Sequence, residues 1–180
     1  GPEAIAGVEE LYLIGRHLEQ YRHATRSPEP YWHEALRRDP GHWASHVALA
    51  ARQYRAAQYG QAENHLHSAI GRLTMLNPNP DVGDAHYLLG LVLVRLGRDD
   101  EAYDAFAKAA WLEAWVPAAN LQLALIDARR GNTDAALDRL GLTPDDVFAA
   151  GRPAKHRVGV ARSKLIREPL AGRLQLLRRL

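Results

Sequence analysis

The sequence predicts an all-α protein: a right-handed α-solenoid of stacked antiparallel helix pairs, about four of them plus a degenerate C-terminal unit. Three observations predict it. Of 180 residues, 47% are hydrophobic and 24% charged, enough apolar side chain to fill a core, and alanine and leucine dominate over β-branched residues. Residues 1–140 hold few of the apolar–polar alternations that mark strands. Most tellingly, a pattern of small and large apolar residues that starts at Gly83 starts again at Pro117, 34 residues later. A fixed period of this kind marks a chain of supersecondary units, each too small to bury its apolar face alone.

The units follow in order. Gly1-Pro2 reads as the scar of a cleaved tag and stands outside the repeats. A first, irregular unit spans residues near 9–42. Counted from Glu9, Trp32 and Ala35 fall at positions 24 and 27 and Pro40 at 32, while Ser27-Pro28-Glu29-Pro30 shortens the second helix. Ser27 is expected to cap the helix that Pro28 or Pro30 opens. A second unit, 43–76, puts Leu49 and Ala50 at positions 7 and 8, with Ala62, Leu66 and Ala69 at 20, 24 and 27 and Gly60 near the turn. Residues 77–82, Asn-Pro-Asn-Pro-Asp-Val, are an insertion whose prolines must end a helix and form a loop. The third unit, 83–116, is the most regular: Leu89 and Gly90 at 7 and 8, Gly97 at the turn, Ala102, Phe106 and Ala109 in the second helix. The fourth, 117–142, offers Leu123 and Ala124, a turn at Gly131, then Ala136 and Leu140, with Pro117 at a first helical position. Thr143-Pro144-Asp145-Asp146 has the form of a capping box. Beyond it, a count from Gly151 places Leu170, Leu174 and Leu177 at 20, 24 and 27, so 143–180 reads as a basic helical cap.

These in-register units resemble the tetratricopeptide repeat (TPR), whose 34 residues form two antiparallel helices with small residues where the helices cross. Three segments carry a narrower resemblance: "LYLIGRHLEQYRHATRSPEPYWHEALRRDP", "LTMLNPNPDVGDAHYLLGL" and "GRDDEAYDAFAKAAW". They are similar to the C-terminal TPR region of large bacterial proteins of unassigned function that carry a carbohydrate-enzyme-like, β-rich N-terminal region. That resemblance covers roughly 9–140 and implies a portion of a larger carbohydrate-related protein. Catalytic residues of such a protein would lie outside this chain, so none is assigned here.

TPR arrays line a concave groove with the first helix of each unit, chiefly at positions 2, 5, 9, 12 and 13. Those positions give Leu13, His17 and Tyr21 in the first unit and Val47, Tyr54 and Arg55 in the second. They give Tyr87, Leu91 and Arg95 in the third, and Leu121, Leu125 and Arg129 in the fourth. The expected groove is mostly apolar and flanked by a ladder of three arginines, suited to a helix or an extended acidic segment. Against this, long arginines at helix ends are often solvated and serve the helix dipole. The groove lacks the asparagines with which chaperone-binding TPR domains hold a terminal carboxylate.

Other features point to no chemistry. His42 and His46 are four apart, but His42 precedes the expected helix start and no third ligand has matching spacing. His65 and His67, two apart, face different sides of a helix. No metal and no cofactor is expected. Trp32, Trp43, Trp111 and Trp115 either fill gaps between repeats or stack on a sugar.

Charge is unevenly spread: residues 151–180 carry nine Lys/Arg against one acid, residues 1–150 fourteen against twenty. The basic stretch lacks interleaved aromatics, which argues against nucleic acid. There is no cysteine and no apolar run long enough to span a membrane. Nucleophile-elbow, phosphate-loop and dinucleotide signatures are absent. The expectation is therefore a cytoplasmic, non-enzymatic scaffold for protein–protein interaction. It would act on a separate protein, on another domain of its own parent chain or as a homodimer; the alternative is an accessory domain completing a carbohydrate-active site elsewhere.

Overall fold

The computed structural model describes residues 1–21, 25–75 and 77–146, and no strand occurs among them. The expected basic cap, all but its first four residues, lies outside the described residues, with Leu170, Leu174 and Leu177. The chain divides into two compact units, Gly1–Val116 and Pro117–Leu180.

In the first unit a 3-10 turn at Pro2–Ala4 precedes six helices: α1 (Val8–Gln20), α2 (Glu29–Arg38), α3 (Trp43–Arg55), α4 (Tyr59–Thr74), α5 (Asp84–Arg95) and α6 (Asp99–Ala109). Each odd helix packs on the even helix that follows, and α3 also touches both α1 and α5. The first helices of the three pairs thus form one layer. Arg38, at the end of α2, fastens the N-terminal segment by donating to the carbonyls of Glu3, Ile5 and Ala6.

The pairs are welded where a small residue on the odd helix meets a large one on the even helix. A Cβ added at Gly90 would lie 2.5 Å from the fully buried Phe106 ring. Gly15 would meet Trp32 in the same way, and Trp32 donates its ring N–H to the Tyr12 carbonyl at 3.2 Å. Ala50 and Leu66, both fully buried, occupy the equivalent places in the middle pair. Each buried Leu or Phe contributes about 1.5–3 kcal/mol, and the small partner is what lets the helix axes approach.

This match fixes the register. Counted from Val8, α1 runs over positions 1–13, as α3 does from Trp43, and Gly15 falls at position 8 beside Ala50 and Gly90. The first repeat therefore starts one residue before Glu9. The turn at position 15 is left-handed in two repeats through Gly97 (φ 74°) and Gly131 (φ 81°). In the middle repeat Ala57 takes this place at φ 58°, whereas Gly60 sits inside α4. Ser27 accepts from the Glu29 amide at 3.3 Å as α2 begins. In the 77–82 insertion the Asn77 side chain accepts from the Asn79 amide at 3.0 Å, an Asx turn.

The second compact unit contains α7, which begins at the boundary (Val116–Arg129), and α8 (Thr133–Leu140). The nearly buried Asp127 of α7 accepts from Arg139 of α8 at 2.7 Å. The Thr143 capping box forms: the Asp146 carboxylate accepts from the Thr143 amide at 2.8 Å and Thr143 Oγ1 accepts from the Asp146 amide at 3.3 Å.

Candidate functional site

In the α1–α3–α5 layer, Val47, Tyr54, Leu91 and Val94 are half-buried along a strip bordered by the exposed Arg55 and Arg95. Two contacts repeat in register along it. Arg55, at position 13 of its repeat, pairs with Glu19, at position 12 of the preceding one. Arg95, again at 13, donates from Nε to the Tyr54 hydroxyl, again at 12, at 3.3 Å. Position 13 reaches back one repeat because neighbouring first helices lie side by side, so the arginines stitch the layer together.

Glu19 is shared with Arg52, 2.7 Å away, which also holds Glu29 of α2 at 2.9 Å. The hydrogen bonds to Glu29 and then Glu19 hold the Arg52 guanidinium more firmly protonated than usual. Arg95, supported first by its bond to Tyr54, shifts the same way. Its partner is a neutral phenol, however, so its charge is not cancelled as that of Arg55 is.

Three of the expected groove residues stand outside this strip. Leu13 and Tyr21 are 49% and 73% exposed, and His17 is exposed beside Tyr21, ring centres 4.5 Å apart. In the register set by Gly15, Leu13 and His17 fall at positions 6 and 10. In α5 position 10 is Val92, fully buried; in α3 it is Arg52, which reaches back to α1 and α2. That face looks toward the preceding repeat, and on α1 it is open. The α1 residues turned toward α3 are instead Glu9, Tyr12 and Glu19, which meet His42, His42 and the Arg52–Arg55 pair. Tyr87 is largely spent internally: its ring lies 4.7 Å from that of Trp115, which covers Gly83, and 5.5 Å from Phe106. In the second compact unit Leu121 and Leu125 of α7 are half-buried and Arg129 is exposed.

The tryptophans divide. Trp32 and Trp115 are packing residues, while Trp111 is 69% exposed. Among the described residues no group of three or more His, Asp or Glu is gathered to hold a metal ion. His42 caps α3 by accepting from the Ser45 amide at 3.3 Å. Spacing along the chain did miss one pairing: His46 and His65, on different helices, have their Nδ1 atoms 2.7 Å apart.

The stacked pairs, the position-8 crossings and the left-handed turns at position 15 define a TPR-type α-solenoid. The chain is similar to solved structures of that class: MamA, with 21% identity over 75% of each chain and a TM-score of 0.62; and YrrB, described as a TPR protein with an unusual peptide-binding site, with 21% identity over 78% of this chain and 70% of that one and a TM-score of 0.61. A MamA fragment from Desulfovibrio magneticus RS-1 matches at 20% identity over 75% of this chain and 72% of that one, with a TM-score of 0.59. No known family model matches the sequence. No helix among the described residues is long and apolar enough to cross a membrane.

Proposed function

We propose that the protein is a protein–protein interaction module, without catalysis of its own, whose α1–α3–α5 layer grips a helix or extended segment of a protein partner. The observation that carries this reading is the strip itself: three first helices side by side, presenting Val47, Tyr54, Leu91 and Val94 between charged borders. Burying such a strip is favourable at about 25 cal/mol per Å2. The arginine ladder enters in altered form. Arg95 is the cation left for a partner carboxylate, Arg55 already being paired with Glu19. On the second compact unit Leu121, Leu125 and Arg129 are proposed contacts in their own right. Leu13, His17 and Tyr21 form a separate open face at the α1 end, suited to another helical hairpin, whether from the same polypeptide or from a second copy. The likeness to a TPR protein described as peptide-binding is in keeping with this reading. Residence in the cytoplasm and membership of a larger carbohydrate-related protein rest on the sequence alone, the latter on the three quoted segments.

The test is affinity capture with Tyr54→Ala, Leu91→Asp and Arg95→Ala, each checked for unchanged helicity. Loss of the same partner in all three supports the strip, and capture equal to wild type removes it. Light scattering of wild type and Leu13→Asp checks self-association through the open face.

A further inference from the structure

Among the first helices of the first compact unit, α5 alone carries an acid at position 2 and a cation at position 13, Asp84 and Arg95. Helix α1 has Glu9 and Gln20 at those places, and α3 has Ala44 and Arg55. Where α1 and α3 do carry a charge there, the chain already uses it. Glu9 lies 3.2 Å from His42, and Arg55 pairs with Glu19. Neither charge of α5 meets an opposite charge among the described residues.

The two lie on one stripe. Eleven residues apart at 100° each, they differ by about 20° around the α5 axis and by about 16 Å along it. The half-buried Leu91 falls between them on the same stripe, with Leu88 and Val94, also half-buried, on its flanks. At the cationic end Arg95 Nε donates to the Tyr54 hydroxyl at 3.3 Å. That leaves both Nη groups and the Tyr54 O–H itself to donate elsewhere, and together they offer an anion a forked guanidinium and a hydroxyl. At the acidic end Asp84 is open to water on one side and crowded by protein on the other. This loss of water raises its carboxyl pKa, and no donor or cation among the described residues opposes the shift. The Tyr87 and Trp115 rings, 4.7 Å apart, pack at the same helix start, where Trp115 covers Gly83. A carboxylate and aromatic rings are groups that attract an ammonium or a guanidinium.

We infer that the α5 stripe reads a partner segment of mixed charge: an extended peptide with a lysine or arginine for Asp84, an apolar residue for Leu91 and an aspartate or glutamate for Arg95. The inference rests on the α1–α3–α5 strip as the partner-binding surface and names the chemistry of that partner. In an extended chain residues i, i+2 and i+4 share a face and span about 13 Å, and the long charged side chains reach the rest of the way. The middle side chain then meets Leu91. A peptide can lie along α5 in either direction, so the order of the two charges is free while their opposite sign is not. Like charges at both ends would set one of them against Asp84 or against Arg95.

The test is an NMR titration of the full chain with acetyl-Lys-Ser-Leu-Ser-Glu-amide, against analogues with lysine at both ends and with glutamate at both ends, followed at the Asp84 and Leu91 amides and at Arg95 Nε. Arg95 is exposed, so each charged contact counts modestly. The mixed peptide is expected to bind about two- to fivefold more tightly than either analogue, with the advantage lost in high salt. Arg95→Glu should move the preference to the two-lysine peptide, and Asp84→Lys to the two-glutamate peptide; each reversal stands by itself should the other variant fold poorly. Equal affinity for all three peptides, with shifts centred on Leu91, would overturn the inference and leave the apolar strip standing. A preference unmoved by both reversals, or no saturable shift along the stripe with any peptide, would overturn it too, while the Tyr54→Ala and Leu91→Asp captures decide the strip separately.

Discussion

Ala57 is the one non-glycine among the described residues with a left-handed backbone, and replacing it with glycine should stabilise the protein. Gly97 shows what the turn wants: it occupies the same position at φ 74°, and a Cβ placed there would meet nothing within 4 Å. The cost at Ala57 is therefore conformational, the clash of its own Cβ with the local backbone, of about 1–2 kcal/mol. Glycine gives back part of this because its unfolded chain is freer, by about 0.5–1 kcal/mol. The net expectation for Ala57→Gly is a gain of about 0.5–1 kcal/mol, and for Gly97→Ala a loss of the same size. In a chain of this length that corresponds to a shift of about 1–4 °C in Tm. Urea denaturation read by far-UV circular dichroism measures both, with unchanged m-values showing that only the turn was altered. Ala57→Gly at or below wild type, with Gly97→Ala neutral, would refute the assignment of this strain.

Three further outcomes follow from the packing and the charges. Gly90→Ala should destabilise by up to about 2 kcal/mol in thermal melts, because a clash with Phe106 of about 1–3 kcal/mol is only partly offset by the helix propensity of about 1 kcal/mol that alanine brings. Combining it with Phe106→Leu should recover part of the loss, and strict additivity would count against the contact. Stability should be flat above pH 6.5 and fall below it, since His65 and His86 have pKa values lowered chiefly by burial and the unfolded chain then binds more protons. A second fall should follow between pH 4.5 and about 2, where Glu34, held down by its hydrogen bonds to Arg37 and then Arg38, must finally protonate; Glu34→Gln should remove that contribution. A double-mutant cycle on Glu19 and Arg55 should give a coupling of no more than about 1 kcal/mol, as for other exposed pairs, and a much larger value would show a buried network instead.

Most of the architecture was legible in the sequence because the rules behind it are local. Prolines must break helices, Gly97 and Gly131 permit the left-handed turn, and a small residue 16 positions before Phe106 announces a close crossing. Where the local signal was weak, the reading slipped. The atypical Gly15–Trp32 crossing moved the first repeat by one residue, and a one-residue shift turns a helix by about 100°. That rotation took Leu13, His17 and Tyr21 off the strip and onto the open face of α1. The turn that Gly60 suggested belongs to Ala57, a residue whose identity carries no sign of positive φ.

Sequence alone thus determined that this chain is a TPR-type array, since periodicity and helix breakers act within a few residues. Tertiary structure decided what its side chains face. Arg55 and Arg95 became stitches between repeats, and His46 and His65 came within hydrogen-bonding distance, because these contacts join residues 19 to 41 apart that only packing brings together.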